Sequence, residues 1–595
     1  MNNKEKLSNK RPVSGKIVNI ATSKLLMQYS KRYKRNKLSD DSKSGHDFID
    51  SALKELKLEY HIGDDDLKRI PKKGPFITVS NHPLGGLDAL LVIKIISSIR
   101  PEYKFLDSEL YHKVESLKDS LIDVKGDDGK NGDSLKVSDL KHAFKYLSDG
   151  GTFGIFPAGK TSLYNWSTNS IIDKIWDETT LKLIKKARVP IIPIYIQGNY
   201  RWLLHILGGI HPLFKSMRIP SELINPRTSY FNIRIGNPIQ IDEQEEFVEI
   251  SRFGRYLRSK TYALGTSLEV KRFFKYKLKW RVNKPEKIID AIPADLIEKE
   301  MEHIKKNFLL FESGDFQVVC APSMEIPNVL LEIGRLREIT FREIGEGTNK
   351  NIDIDEFDLY YNQLIVWDNK QKKISGAYRV GIGKDIIEQY GLNGFYIQTL
   401  FKIKPDFIPI LSESLELGRS FIVKEYQRRP LSLFLLWKGI LYFLLKHKEY
   451  RYLIGPASIS NEFSKFSKGL IVSFFKKYYY DEELAKRLTP RRKFRITQTR
   501  NVDQSLFLDI AKNIGKLDEF VFEIENEYGI PVLLKKYIKL NAKLIGFNVD
   551  PKFNNSLDGL IFLDIFDVPF DILKALSKEI QDDSILERFN VDMAE

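Results

Sequence analysis

A chain of 595 residues exceeds what one hydrophobic core organises, so two large domains are expected. With 42% hydrophobic and 29% charged residues and a mean hydropathy of -0.29, the composition is globular and excludes a protein threaded repeatedly through a membrane. A net charge of +15 implies an anionic partner, whether nucleic acid, an anionic bilayer or an acidic carrier protein, and the single cysteine, Cys320, excludes an internal disulfide framework and fits a reducing cytoplasm.

Residues 1–60 form a basic segment in which Lys31, Arg32, Lys34, Arg35 and Lys37 stand beside Leu25, Leu26, Met27 and Tyr29. Such a mixture suits an anionic membrane surface, where each basic residue adds about 1 kcal/mol, or a solvated tail. The segment has no apolar stretch of the kind a secretory signal needs. From 61 to 245 short apolar runs alternate with helical stretches, the pattern of an α/β domain. The first run, residues 75–80, stops at Asn81-His82-Pro83-Leu84-Gly85-Gly86-Leu87-Asp88, and Pro83 is placed to open the apolar helix that follows. His82 is then expected at the positive end of a helix. There, a histidine steered by a carboxylate can take a proton from an alcohol while backbone N–H groups hold an acyl oxyanion. The same residues also read as a plain strand-to-helix turn with a capping histidine.

Residues 104–106 predict a second strand, and 127–133 a polar turn without calcium-ligand spacing. A third strand runs into Phe156-Pro157-Ala158-Gly159-Lys160-Thr161-Ser162, whose turn, hydroxyls and cation suit a polar or anionic head group. Residues 189–196 and 231–239 predict two more strands. Between them, 200–207 and 212–218 mix aromatic, aliphatic and basic side chains, which reads as core with a basic rim or as a surface inserted into a monolayer.

Asn81-His82…Asp88, then Phe156-Pro157-x-Gly159-x-x-Ser162, then Val189-Pro190-Ile191-x-Pro193 and finally Gly236-x-Pro238-Ile239 is an order that resembles the phospholipid/glycerol (PlsC-type) acyltransferases. The resemblance covers about residues 60–245. It implies that His82 is the general base on the acceptor hydroxyl, that Asp88 orients it, and that Phe156, Pro157, Gly159, Lys160 and Ser162 bind the acceptor head group. Two features depart from the family: five residues separate His82 from Asp88 instead of four, and Ala158 replaces an acceptor-binding Glu. The second departure weighs against a glycerol-phosphate acceptor.

Residues 246–305 read as a charged helical connector, and 306–595 as a second domain. Strands are predicted at 316–320, 364–368, 374–380 and 394–397 with a helix at 329–342, giving a small antiparallel sheet with helices. Cys320 lies in the first of these strands and reads as a packing residue. Further on, 451–460 predicts a strand, 462–480 a helix, and 544–547 and 560–563 the closing strands. The series Arg342, Asp355, Asp358, Arg379, Phe395, Glu416 and Arg419 resembles the autoinducer-synthase and hemolysin-like branch of the GNAT acyltransferases. The resemblance implies a GNAT-like α+β domain with those residues at its site. It also implies that the donor's phosphopantetheine rests at the start of the helix after the fourth strand, here Gln427, Arg428 and Arg429 ahead of the apolar run 431–445. That run is shorter than the roughly 20 residues a membrane span needs and reads as a buried helix. Grouped charges of this kind also form structural ion-pair networks.

The two modules in this order resemble the fused bacterial synthases of ornithine- or glycine-type aminolipids. That resemblance implies an amide-forming second module that uses a 3-hydroxyacyl group from acyl carrier protein, or acyl-CoA as donor, and a first module that esterifies the 3-hydroxyl. It implies no further cofactor, contact with membrane lipids, and a peripheral place on the cytoplasmic face of the inner membrane. No metal-ligand pattern is present, and nucleic acid is not an expected partner, because the basic residues are spread and no recognition motif appears. The alternative is a lysophosphatidate acyltransferase with a non-catalytic C-terminal domain.

Overall fold

The computed structural model describes residues 26–35, 45–56, 58–84, 86–107, 114–122, 137–159, 163–165, 170–173, 175–197, 230–268, 285–427, 430–499, 501–526 and 528–589. The expected features at 127–133, 200–207 and 212–218, and the residues Lys160, Ser162, Arg428 and Arg429, lie outside them. The chain divides into two compact units, residues 1–269 with 498–527, and residues 270–497 with 528–595.

The first unit contains β1 (Glu59–His61), β2 (Ile77–Ser80), β3 (Lys104–Phe105), β4 (Phe153–Ile155), the two-stranded ribbon β5 (Leu163–Asn165) and β6 (Ser170–Ile172), β7 (Ile191–Ile196) and β8 (Tyr230–Ile235). Six of these form one sheet in the order β1-β8-β7-β2-β4-β3. The run from β7 through β2 and β4 to the edge strand β3 is parallel, and β8 joins antiparallel to β7. Every residue of β2 is buried, as a strand covered on both faces requires. The helix Leu87–Ser97 follows it with all its apolar residues buried. Ligands of open parallel sheets gather beyond the carboxyl ends of the strands, which is where β2 delivers His82 and β4 delivers Phe156.

Two boundaries differ from the sequence expectation. The helix Ile250–Ala263, expected in the connector, buries Phe253, Tyr256 and Leu257 in the first unit's core. Residues 498–527, expected inside a continuous second domain, also belong to the first unit. The buried Lys260 pairs there with the buried Glu523, Glu523 Oε1 accepts the Asn237 N–H at 2.9 Å, and Arg234 Nη2 donates to the Glu523 carbonyl at 2.8 Å. A buried cation needs a buried counter-charge, and the chain supplies it from 263 residues away.

The second unit contains β9 (Leu309–Ser313), β10 (Phe316–Pro322), β11 (Asn362–Asp368), β12 (Lys373–Ile382), β13 (Phe401–Ile403), β14 (Ser414–Ile422), β15 (Tyr452–Ile459), β16 (Leu488–Pro490), β17 (Lys543–Asp550) and β18 (Ser556–Asp564). Eight of them form a sheet in the order β17-β18-β15-β14-β12-β11-β10-β9, and β13 pairs with β16 separately. The small antiparallel sheet expected here is thus larger and carries one parallel pair. β14 and β15 join only at Ser414–Tyr452, Leu415–Leu453 and Glu416–Ile454, after which their pairing stops. Residues 394–397 form 3-10 turns instead of the expected strand. The reason is local: the Glu416 carboxylate accepts the Tyr396 and Ile397 N–H groups, which a strand would have given to a neighbour.

The helix Pro430–Lys446 follows β14. No helix among the described residues is long and apolar enough to cross a membrane. Cys320 is buried in β10, and burial pushes its thiol up to about 12, which keeps it protonated and inert.

Candidate functional sites in the two units

Beyond β2 the backbone turns through Pro83 and Leu84 before the helix begins at Leu87, so Pro83 does not open it. Gly86 is the residue ahead of the first helical turn, with φ of 93°, a conformation that costs an L side chain but not glycine. This turn accommodates the five-residue spacing and folds Asp88, in the first helical turn, back onto the histidine. His82 Nδ1 lies 2.7 Å from Asp88 Oδ2, and both side chains are buried. Asp88 also accepts the Leu84 N–H at 2.8 Å, and the His82 N–H donates to Asp173 Oδ1 at 3.2 Å. The amides of His82 and Leu84 are therefore committed to carboxylates and do not serve as the oxyanion donors expected of this turn.

With Nδ1–H directed at Asp88, the neutral ring presents a lone pair at Nε2, which makes no hydrogen bond to any described residue. Burial opposes a charged imidazole, but the hydrogen bond and charge of Asp88, with the charges of Asp107 and Asp173 behind it, leave the His82 pKa raised. Burial raises Asp88 in turn, against the His82 and Leu84 hydrogen bonds. The Phe156 ring stacks on the imidazole at 4.0 Å and 22°, giving it an apolar backing. The Pro157 carbonyl accepts the Asp177 N–H at 2.8 Å, and Gly159, with φ of 62°, closes the turn onto the Phe156 carbonyl at 3.0 Å.

Asp173 is a site residue that no motif announced. Its carboxylate accepts from His82 and, at 3.3 Å, from Trp176 Nε1, while its own N–H donates to the Tyr262 hydroxyl at 3.0 Å. It stands 91 residues beyond His82 in a stretch without a pattern.

In the second unit Arg379, 1% exposed, reaches Asp355 Oδ1 at 2.5 Å and Asp358 Oδ2 at 3.3 Å. Arg419 reaches Asp355 Oδ2 at 3.4 Å and Asp353 Oδ2 at 3.3 Å. Asp355 and Asp358 also cap one turn reciprocally. Arg342 is not part of this group. It binds Glu338 at 2.6 Å and the Glu286 carbonyl at 2.9 Å, and Arg337 instead contacts Asp358 at 2.9 Å. Five positions along a helix project to different faces, so only one of the two arginines can join the cluster. Two neighbouring arginines, at 3.6 residues per turn, give no sequence signal for which one does.

Glu416 stands apart from these ion pairs. Its carboxylate accepts the Tyr361 hydroxyl, the Tyr396 N–H at 3.1 Å and the Ile397 N–H at 2.6 Å. Burial pushes it up to about 7, against those hydrogen bonds and the charge of Arg379. Arg419 sits at φ of 54° on β14, where the register with β12 shifts, and its guanidinium lies over the Tyr396 and Phe553 rings at 5.2 and 5.1 Å. Such a conformation is strained for a side chain and marks a position held by its surroundings. Phe395 is fully buried, and Gln427 Nε2 donates to the Ile422 carbonyl at 2.9 Å.

Residues 42–271 match the family model described as Acyltransferase, and residues 336–438 match that of the Acetyltransferase (GNAT) domain. A glycine N(alpha)-acyltransferase of Bacteroides thetaiotaomicron is 30% identical over 274 residues, spanning 44% of this chain and 79% of that protein. The chain belongs to this acyltransferase family. It is an enzyme that joins an acyltransferase domain to a GNAT domain. A lyso-glycine lipid O-acyltransferase of the same organism is 22% identical over 230 residues, 37% of this chain and 81% of that protein. The solved 1-acyl-sn-glycerophosphate (LPA) acyltransferase of Thermotoga maritima matches 46% of this chain and all of its own, at 18% identity and a TM-score of 0.25.

Proposed function

We propose that the chain builds an aminolipid in two acyl transfers. The second unit N-acylates a small amino acid of the glycine or ornithine type with a 3-hydroxyacyl group carried by acyl carrier protein. The first unit then O-acylates the 3-hydroxyl. Relatives whose names divide these steps between two proteins, one forming the amide of glycine and one acylating the lyso-glycine lipid, support joining both steps in one chain. Ala158, in place of a family glutamate, supports an acceptor without glycerol phosphate.

The observation that carries the reading is the His82–Asp88 pair at 2.7 Å with Nε2 left open. In the ester-forming step Nε2 takes the proton of the acceptor hydroxyl as its oxygen attacks the thioester carbonyl, and Asp88 balances the imidazolium. Collapse of the tetrahedral intermediate breaks the C–S bond, and the leaving thiolate recovers the proton from Nε2. The products are the ester and the free thiol. In the amide-forming step the neutral acceptor amine attacks the thioester carbonyl, the C–N bond forms as the C–S bond breaks, and the proton lost from nitrogen passes to the leaving thiolate, giving the amide and the free thiol. A lipid product and a charge of +15 support peripheral attachment to an anionic membrane surface, with the cytoplasmic face of the inner membrane as the proposed place.

Expression of the full chain in a host without aminolipids tests the reading. A new phosphorus-free lipid with one amide-linked and one ester-linked acyl chain is expected. A change confined to phosphatidic acid would overturn it in favour of a lysophosphatidate acyltransferase.

A further inference from the structure

We propose that the second unit holds a phosphoryl-binding cavity distinct from its ion-pair cluster and from the donor position expected at Gln427–Arg429. A cavity of about 280 Å³ is lined by Lys465, Lys468 and Arg495, with Asn461, Thr497 and Asn555 among them. Its apolar floor is Val549 and Leu557, which pair across β17 and β18. Among the described residues no carboxylate lines it.

The acids nearest in sequence are turned elsewhere. Alternation along a strand sends the residues next to Val549 and Leu557 to the opposite face. There Asp550 accepts the Tyr396 hydroxyl at 3.0 Å and Asp558 accepts Ser458 Oγ at 2.7 Å. Glu462 lies against Gly345 and Glu346. Lys465 and Arg495 form no ion pair among the described residues, and both are exposed. Lys468, 7% exposed, brings a third ammonium to the wall and donates to Asn461 Oδ1 at 2.8 Å. Three cations around a small cavity with no acid on its wall create a local field that favours an anion.

The donor set narrows the anion's chemistry. Two ammonium groups, a guanidinium, two amides and a hydroxyl offer more donors than the two oxygens of a carboxylate can use. A phosphoryl group presents three strong acceptor oxygens and roughly -1.5 to -2 charges near neutral pH, and a guanidinium binds it bidentately. Small-molecule pockets typically measure roughly 300–1,000 Å³, so this cavity fits a phosphoryl group whose organic part extends outside it. The same chemistry is carried by a phosphopantetheine donor such as coenzyme A and by a phospholipid head group.

Equilibrium dialysis of the full chain with labelled inorganic pyrophosphate tests the site. Saturable binding is expected, with one equivalent lost or weakened at least tenfold in the double variant Lys465→Gln/Arg495→Gln. The pair Lys574→Gln/Lys578→Gln, exposed on another helix of the unit, removes the same charge and should bind as the parent does. Both altered cavity residues are exposed, and unchanged circular dichroism of the variant separates lost binding from lost folding. Displacement of pyrophosphate by coenzyme A assigns the site to a soluble donor. Displacement by phosphatidylglycerol vesicles, but not phosphatidylcholine vesicles, assigns it to a lipid head group. No saturable binding, unaltered binding in the cavity variant, or equal loss in the control pair would overturn the proposal.

Discussion

At His82 one carboxylate steers one imidazole and Nε2 bonds to no described residue, whereas around Arg379 three aspartates and three arginines form ion pairs with one another, with Arg379 Nε and Nη2 left without a hydrogen bond among the described residues. Both groups are largely buried, and His82, Asp88, Asp355, Asp358, Arg379 and Arg419 are picked out in a family pattern, whereas Arg337 and Asp353 are not. The difference is where the charge goes. In the first unit it is directed at a ring whose Nε2 bonds to no described residue, as a proton acceptor requires. In the second unit it ties the helix Pro327–Glu343, β12 and β14 to the Asp355–Asp358 turn, and the aromatic rings of Phe357, Tyr361 and Tyr396 close over Arg379 at 5.3 to 5.6 Å. Glu416 is a carboxylate of that region that no arginine neutralises by a direct bond among the described residues.

The sharpest way to break the comparison is to remove the open nitrogen. His82→Ala is expected to lower ester formation by about 10²–10⁴-fold, the range of general-base catalysis, while leaving the amide-forming step intact. The monoacyl aminolipid should then accumulate, as mass spectrometry of the lipid extract will show. Asp88→Asn acts on the same atom through its partner. The base works unprotonated, so activity rises with pH as His82 loses its proton, and Asp88 holds that transition above the usual histidine range. The variant should lose rate and move the acidic limb of the pH profile to lower pH. An unmoved limb would mean that Asp88 only holds the turn.

In the second unit the corresponding cut is Arg379→Ala, which leaves Asp355 and Asp358 facing each other without their shared cation. Breaking a buried pair costs about 3–5 kcal/mol, so denaturant unfolding of this unit should shift by that amount. Arg342→Ala, outside the cluster and partly exposed, should shift it much less. Equal shifts would show that the two arginines are energetically equivalent despite their different partners.

The sequence made some of this visible. Strands are expected at 75–80, at 104–106, ahead of the Phe156 turn and at 189–196 from apolar runs ending in Pro, Gly or polar residues, and the structure puts β2, β3, β4 and β7 within those stretches. The order of the motifs along the chain pointed to two acyltransferase modules, which the family matches show. What stayed hidden depends on contacts between distant residues. Glu523 could not be assigned to the first unit without Lys260, nor Asp173 to the His82 site without the fold. The turn at 394–397 looked extended because its residues are aromatic and β-branched, and only the Glu416 carboxylate overrides that preference.

The smallest expected effect concerns Asp558, which shares its face of the sheet with Tyr396 and, unlike Asp355 and Asp358, has no arginine. Burial raises it from 3.8 to about 8, with the charges of Asp550 and Glu346 adding to the shift against hydrogen bonds from Ser458 and Ser556. Between those two pH values the folded chain keeps a proton that the unfolded chain releases, so stability falls as pH rises through the window. Asp558→Asn has nearly the same shape and cannot ionise. It should therefore melt with the parent near pH 4 and above it near pH 8, in a series of thermal unfolding curves. Glu416 and Glu346, both raised to about 7, titrate in the same direction and remain in the variant, so the parent's slope is reduced and not abolished. A melting difference that does not change with pH would show that Asp558 titrates in the fold as it does in the unfolded chain, and that burial does not hold its proton.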